Sequence, residues 1–373
     1  MNKILLAVLF GCFSIWIIAT FCKSIVIFGQ HEKRYETYNS LKKEKTDILK
    51  GIAILGIFIS HIVTHMKLDM EQYNIIIQLV YYILVSLGDV GVAIFFFMSG
   101  YGNGCSLEKS TTHKKTFIWF RKHVVKIIFT FFVIYVLTVI VNMFIFKAGI
   151  SLNENIRNLV TLSLPGTVTW YLKIQLLLYV FTVIAMMITF NRRLVCLIIS
   201  LLSLMYSVLM YIIGFENFWW HTSLCYALGF YTSINRENLA KRINKTNDVL
   251  VIAGSAITTI LFYIISEFVA GNNFILRIAG FTGMTCAIMI LVYKLICVNS
   301  GIFAIINKVL GQLSLEIYLV HVGIVTYCFN LGVSTIRIIE FVLLTIILTI
   351  CAHWIIDKVF NKHKGNVNEC ANK

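Results

Sequence analysis

Apolar stretches, most of them long enough for a membrane crossing, follow one another along almost the whole sequence. An α-helix needs about 20 apolar residues to span the hydrocarbon core of a bilayer. The stretches lie near 4–29, 48–66, 75–100, 124–146, 169–190, 194–214, 223–234, 249–270, 275–297, 309–330 and 338–356. No water satisfies free backbone groups inside a bilayer, so such a chain must fold as helices. The pattern predicts an all-α, polytopic membrane bundle of about eleven helices. Charged residues make up only 13% of the 373, where about a quarter is usual in soluble domains. So little charge excludes a soluble enzyme, a disordered chain and a small disulfide scaffold.

The run at 223–234 is short and reads as a tilted or partial span. In the long run at 75–100, Gly88-Asp89-Val90-Gly91 reads as a break or kink. The first run is too long for a cleaved signal and stays apolar past Cys12, so a retained helix is expected. The ten cysteines fall mostly in apolar runs and form neither a disulfide framework nor a zinc-type spacing.

Charge orients the helices. Lys and Arg number 32 against 17 Asp and Glu. They concentrate in alternate loops: Lys33 to Lys45, Lys109 to Lys122, Arg192 and Arg193, Arg236 to Lys245, Lys308, and Lys358 to Lys364. By the positive-inside rule these loops are cytoplasmic, facing anionic lipid. The N-terminus is then expected outside and the C-terminus in the cytoplasm. No nucleic acid is needed to explain the basic excess. Residues 1–46 read as a membrane helix and basic connector, 47–356 as one membrane domain, and 357–373 as a basic tail.

Ionisable groups inside spans are costly and mark function. Here they are His61, Asp89, Lys173, Glu267, Arg277, Glu316, His321 and His353. At about 1.5 Å per residue, His61, Asp89 and His321 each lie about 17–20 Å from the cytoplasmic ends of their helices. Three groups able to handle protons thus share one level, with Glu316 below His321. Lys50 precedes His61 by eleven residues, which returns the helix to within about 20° of the same face. A ligand with an anionic head at Lys50 and a thin reactive tail reaching His61 fits that geometry, and a coenzyme A thioester has this shape. No metal site is expected: His65 follows His61, but Ile62 and Val63 stand where a HExxH motif needs its Glu. His353 reads as interfacial. Lys173 and Arg277 sit near outer helix ends, where snorkelling accounts for them. With Trp170 and Tyr171 they could instead line a polar vestibule for a sugar.

At this point the sequence resembles acyltransferase family 3. The likeness covers most of 47–356. It starts with Asp47-Ile48-Leu49-Lys50-Gly51-Ile52-Ala53 followed by His61, where the family has a basic residue, usually Arg, eleven positions before a His. It continues through Phe95-Phe96-Phe97-Met98-Ser99-Gly100-Tyr101, the basic stretch Phe120-Arg121-Lys122-His123, Trp170-Tyr171-Leu172, and Tyr318-Leu319-Val320-His321. The resemblance implies transfer of an acyl group, most often acetyl, from cytoplasmic acyl-CoA. The acceptor it implies is usually a hydroxyl of a cell-surface glycan or a lipid-linked precursor, with macrolides and other small molecules also used in the family, and the setting it implies is a plasma membrane. It implies His61 as the main catalytic residue and Lys50 in the Arg position. Lys50 keeps the charge but lacks the planar fork that grips phosphate.

Within that reading His61 is the general base. Asp89 or Glu316 would fix its tautomer, and His321 would contact the acceptor, complete the network, or simply pack. Arg121, Lys122 and Lys126 would meet coenzyme A phosphates, or only lipid. No cofactor is expected to be held permanently; acetyl-CoA is the donor substrate, and envelope polysaccharide biosynthesis proteins are possible partners. Three alternatives stay open: a transporter or flippase of lipid-linked sugars, a membrane acyltransferase of the other large His-containing superfamily, and a non-catalytic partner in envelope assembly.

Overall fold

The computed structural model describes residues 2–26, 43–165, 167, 169–296 and 301–370. Residues 27–42, with Lys33 and Arg34 of the basic connector expected within 1–46, and the last residues of the tail lie outside them. Among the described residues fourteen α-helices follow one another. They are α1 (Asn2–Val26), α2 (Lys43–His65), α3 (Ile75–Ser106), α4 (His113–Phe144), α5 (Leu152–Val160), α6 (Trp170–Ile188) and α7 (Arg192–Ile213). Then come α8 (Leu224–Ile234), α9 (Arg236–Lys245), α10 (Asp248–Ile264), α11 (Phe274–Ile296), α12 (Ile302–Gln312), α13 (Ser314–Cys328) and α14 (Thr335–Cys370). Nine helical stretches among the described residues are long and apolar enough to cross a membrane, or ten if α12 and α13, bent by 72°, make one span. The chain is a multi-pass membrane protein built of helices.

Each apolar run of the sequence lands on helix, and two of them depart from a simple span. The run at 309–330 is broken at Leu313, between α12 and α13. The run at 223–234 becomes the eleven-residue α8. Its partner segment 214–223 completes the return crossing without a long helix: Trp220, His221, Thr222 and Ser223 are fully buried. Irregular backbone at membrane depth survives only where protein buries it or a cavity lies beside it. Both hold here, since Gly214, Phe215, Glu216, Phe218 and Trp219 line a cavity.

The expected kink at Gly88–Gly91 does not occur; α3 runs unbroken from Ile75 to Ser106. These glycines serve close packing instead. A Cβ on Gly91 would lie 2.8 Å from the Ala53 carbonyl oxygen of α2, and one on Gly88 would lie 2.7 Å from Ser60 Oγ. The same device ties α3 to α8, where Gly100 and Gly229 each face a backbone carbonyl 2.0 Å from where a Cβ would stand. It ties α2 to α12 as well, through Gly51 against Asn307 and Gly311 against Asp47. Small residues let membrane helices approach until their backbones touch.

The helix order brings the starts of α2, α4, α7 and α9 and the end of α3 to one end of the bundle, and that end is basic. Glu108, just past α3, ties it together: Arg192 of α7 donates to it at 3.3 Å and Arg236 of α9 at 3.1 Å. The Glu108 carboxylate holds the Arg236 guanidinium above its ordinary pKa. Helix α1 lies against α2, α3, α11 and α12. Its Trp16 indole donates to the buried Asn307 of α12 at 3.0 Å, and Asn307 donates to Thr20 at 2.9 Å.

Candidate active site

Helix α2 presents its ionisable residues to two cavities in succession. Near its start, Lys43 and Lys50 line a cavity of about 860 Å³. Lys122, His123 and Lys126 of α4 line the same space. Four lysines around one opening make an anion-binding mouth by charge alone. Lys50 pairs with the buried Asp47 at 2.8 Å, one turn earlier on α2. Deeper in, Gln175 donates to Ser99 at 2.8 Å, a small polar cluster against apolar walls.

Three turns further along α2, Ser60, His61 and Thr64 line the second cavity, of about 840 Å³. Its walls include Trp170, Phe218, Trp219 and Tyr318. Two aromatic rings stand between the two linings. Tyr171 lines the lysine cavity and Tyr318 the aromatic one, and their rings lie 4.9 Å apart.

His61 meets His321 of α13 at this boundary, with ring centroids 5.1 Å apart and planes at 69°. The His321 Nδ1 lies 2.8 Å from the Ile317 carbonyl oxygen. A carbonyl only accepts, so Nδ1 carries the proton and Nε2 holds the lone pair. That Nε2 is fully buried and has no hydrogen-bond partner among the described residues. A buried acceptor of this kind is costly unless something donates to it. Phe58 and Tyr318 pack against the ring and hold its orientation.

Neither expected carboxylate orients His61. Asp89 lines the same cavity, but its carboxylate turns toward the fully buried His221, with an oxygen 3.6 Å from that ring's Nε2. Glu316 instead faces the lysine cavity and meets His353 at 3.4 Å. Helix direction explains the second result: Glu316 lies five residues before His321, so the two point to different sides of α13. His353, read from sequence as interfacial, thus supports Glu316.

The other expected residues divide as well. Lys50, Lys122 and Lys126 line the lysine cavity, while the exposed Arg121 does not. Trp170 lines the aromatic cavity; Lys173 and Arg277 do not. Lys173 donates to Ser163 at 3.1 Å, and Arg277 pairs with Glu267 at 3.8 Å. Among the described residues no group of three or more His, Cys, Asp or Glu is placed to hold a metal ion. Sequence reasoning missed Lys43, His123, Glu216 and His221. The last two lie in Phe215-Glu216-Asn217-Phe218-Trp219-Trp220-His221, and the density of aromatic rings there is the signal that could have found them.

A family model described as an acyltransferase domain matches residues 44–357. The chain belongs to acyltransferase family 3. It is therefore a membrane acyltransferase, and every lining residue of the two cavities except Lys43 lies within the matched stretch. In this family 3 chain the match begins at α2 and leaves α1 outside. No curated protein and no solved structure matches the chain.

Proposed function

We propose that the protein moves an acyl group, acetyl by preference, from acyl-CoA to a hydroxyl of a cell-surface glycan or its lipid-linked precursor. The observation that carries this reading is that α2 delivers Lys50 to one cavity and His61 to the other. The eleven residues between them rise about 16 Å, and an extended pantetheine arm has that reach. The basic end of the bundle faces the cytoplasm in this reading, in keeping with the positive-inside rule. Coenzyme A phosphates sit among Lys43, Lys50, Lys122 and Lys126, and the thioester reaches past Tyr171 and Tyr318.

A hydroxyl is a weak nucleophile near neutrality and needs a base in reach. His61 takes the hydroxyl proton as the oxygen attacks the thioester carbonyl. The C–S bond then breaks, and the departing sulfur recovers the proton. His321 acts as the positioning residue: its free Nε2 accepts an N–H of His61, which leaves the other His61 nitrogen as the base. This is the role a carboxylate fills in nucleophile–base–orienter sites. The proximity of the two rings supports the assignment.

The test uses membranes carrying wild type or His61→Ala at matched levels. Radiolabelled acetyl-CoA is supplied, and label is followed into the lipid-linked and polymeric glycans of the native host. Label with wild type and none with His61→Ala is the expected result. Equal label in both would remove His61 as the base, and no label in either would remove the acetyl donor.

A further inference from the structure

The aromatic cavity has a charge pattern opposite to that of the lysine cavity. Its ionisable lining residues are His61, Asp89, Glu216 and Tyr318, and among its described lining residues none is Lys or Arg. Asp89 stands with a carboxylate oxygen 3.6 Å from Nε2 of the buried His221, whose ring stacks on Phe281 at 4.0 Å. Glu216 sits in the irregular segment after Gly214, whose φ of 85° turns the chain back into the cavity. Lys173 is held by Ser163, and its ammonium stands 6.0 Å from the Trp219 ring centre, outside the lining.

The aromatic lining is equally specific. Trp170 and Phe218 lie 5.2 Å apart, and Trp219 continues the array beyond Phe218. A sugar ring has an apolar C–H face and a rim of hydroxyls. Flat aromatic walls suit the face, and carboxylates accept hydrogen bonds from the rim. Aromatic faces also attract cations, whereas a carboxylate or phosphate on the ring would meet like charge from Asp89 and Glu216.

We propose that the aromatic cavity takes a sugar ring without negative charge, neutral or amine-bearing, and that Asp89 and Glu216 exclude anionic rings. This rests on reading the cavity as the acceptor side of the acyl transfer. Lys173 and Arg277, expected from the sequence at helix ends or in a polar vestibule, do not line the cavity.

The test needs no acyl transfer, so it fails or succeeds separately from the reaction. Thr64→Cys places a thiol on the cavity wall one turn from His61. Its modification by cationic trimethylammonium-ethyl and anionic sulfonatoethyl methanethiosulfonate is timed in the full chain, with the unmodified chain as the blank. Relative to a free thiol, the cationic reagent should be favoured by about tenfold. Adding Glu216→Gln, in an exposed segment that leaves packing intact, should reduce that preference severalfold. Methyl glucoside and glucosamine should slow the labelling, and glucuronate should not. Labelling by neither reagent, equal rates for both, protection by glucuronate equal to that by glucosamine, or protection by none of the three would each overturn the proposal.

Discussion

The rings of His61 and His321 lie 5.1 Å apart, edge to face, where the aromatic cavity meets the septum of Tyr171 and Tyr318. His321 comes to this point with its Nδ1 proton already committed to the Ile317 carbonyl. One buried lone pair therefore faces inward without a donor among the described residues. The pair joins two helices far apart in sequence, α2 and α13, beside the ring of Tyr318.

Loss of the His321 lone pair should impair chemistry rather than donor binding. General acid–base effects are worth about 10²–10⁴-fold in rate, and His321→Ala should lose about 10² of it in kcat with the KM for acetyl-CoA unchanged. His321→Gln restores an acceptor and should recover part of the loss. A merely structural role would instead lower the melting temperature and leave the pH–rate profile of the surviving enzyme as it was.

The lysine mouth should behave as an electrostatic site. Each exposed ionic contact is worth up to about 1 kcal/mol, so Lys122→Gln and Lys126→Gln should each raise the KM for acetyl-CoA a few-fold, with kcat little changed. The effect should shrink as salt is added. Arg121→Gln, on the exposed side of α4, should leave KM alone. Equal effects from Arg121 and Lys122 would point to membrane-surface charge in place of a site.

Lys50 carries a structural duty besides. Asp47 is buried, its second carboxylate oxygen already lacks a partner, and Lys50 holds the first at 2.8 Å. Lys50→Met strands that carboxylate, at a cost of about 1–3 kcal/mol. A lower melting temperature should accompany the raised KM, and adding Asp47→Asn should recover the stability without the affinity.

Glycine contacts predict a sharp contrast within one helix. Gly100→Ala drives a methyl into the Tyr226 carbonyl, 2.0 Å away, and must separate α3 from α8. Overpacking of this kind costs about 1–3 kcal/mol or more, so folded protein should fall steeply in a fluorescence-detected size-exclusion assay. Gly102→Ala, two residues on, meets nothing within 4 Å and should be tolerated.

The helical crossings were legible in the sequence because the bilayer imposes one rule on every span. The helical period likewise gave Lys50 and His61 a shared face, and both line cavities. What periodicity cannot show is which side of a neighbouring helix a residue meets. Asp89 shares the depth of His61, yet its carboxylate lies beside His221. That residue arrives on the irregular segment 214–223, between two apolar runs and without a repeat to place it. Gly88 and Gly91 carry the same ambiguity: a glycine pair permits either a kink or a close approach, and only the presence of α2 alongside decides for the second. The broken α12–α13 pair was hidden for a related reason, since the run at 309–330 stays apolar through the bend at Leu313.

Sidedness tests the central claim most directly. Sealed inverted membrane vesicles from the native host enclose the glycan side, and labelled acetyl-CoA, which cannot cross, is supplied only outside, at the basic end of the bundle. Wild type should deliver label to enclosed glycan, and His61→Ala at matched levels should deliver none. Label reaching enclosed glycan equally with His61→Ala, or transfer only when acetyl-CoA is trapped on the aromatic-cavity side, would contradict the account.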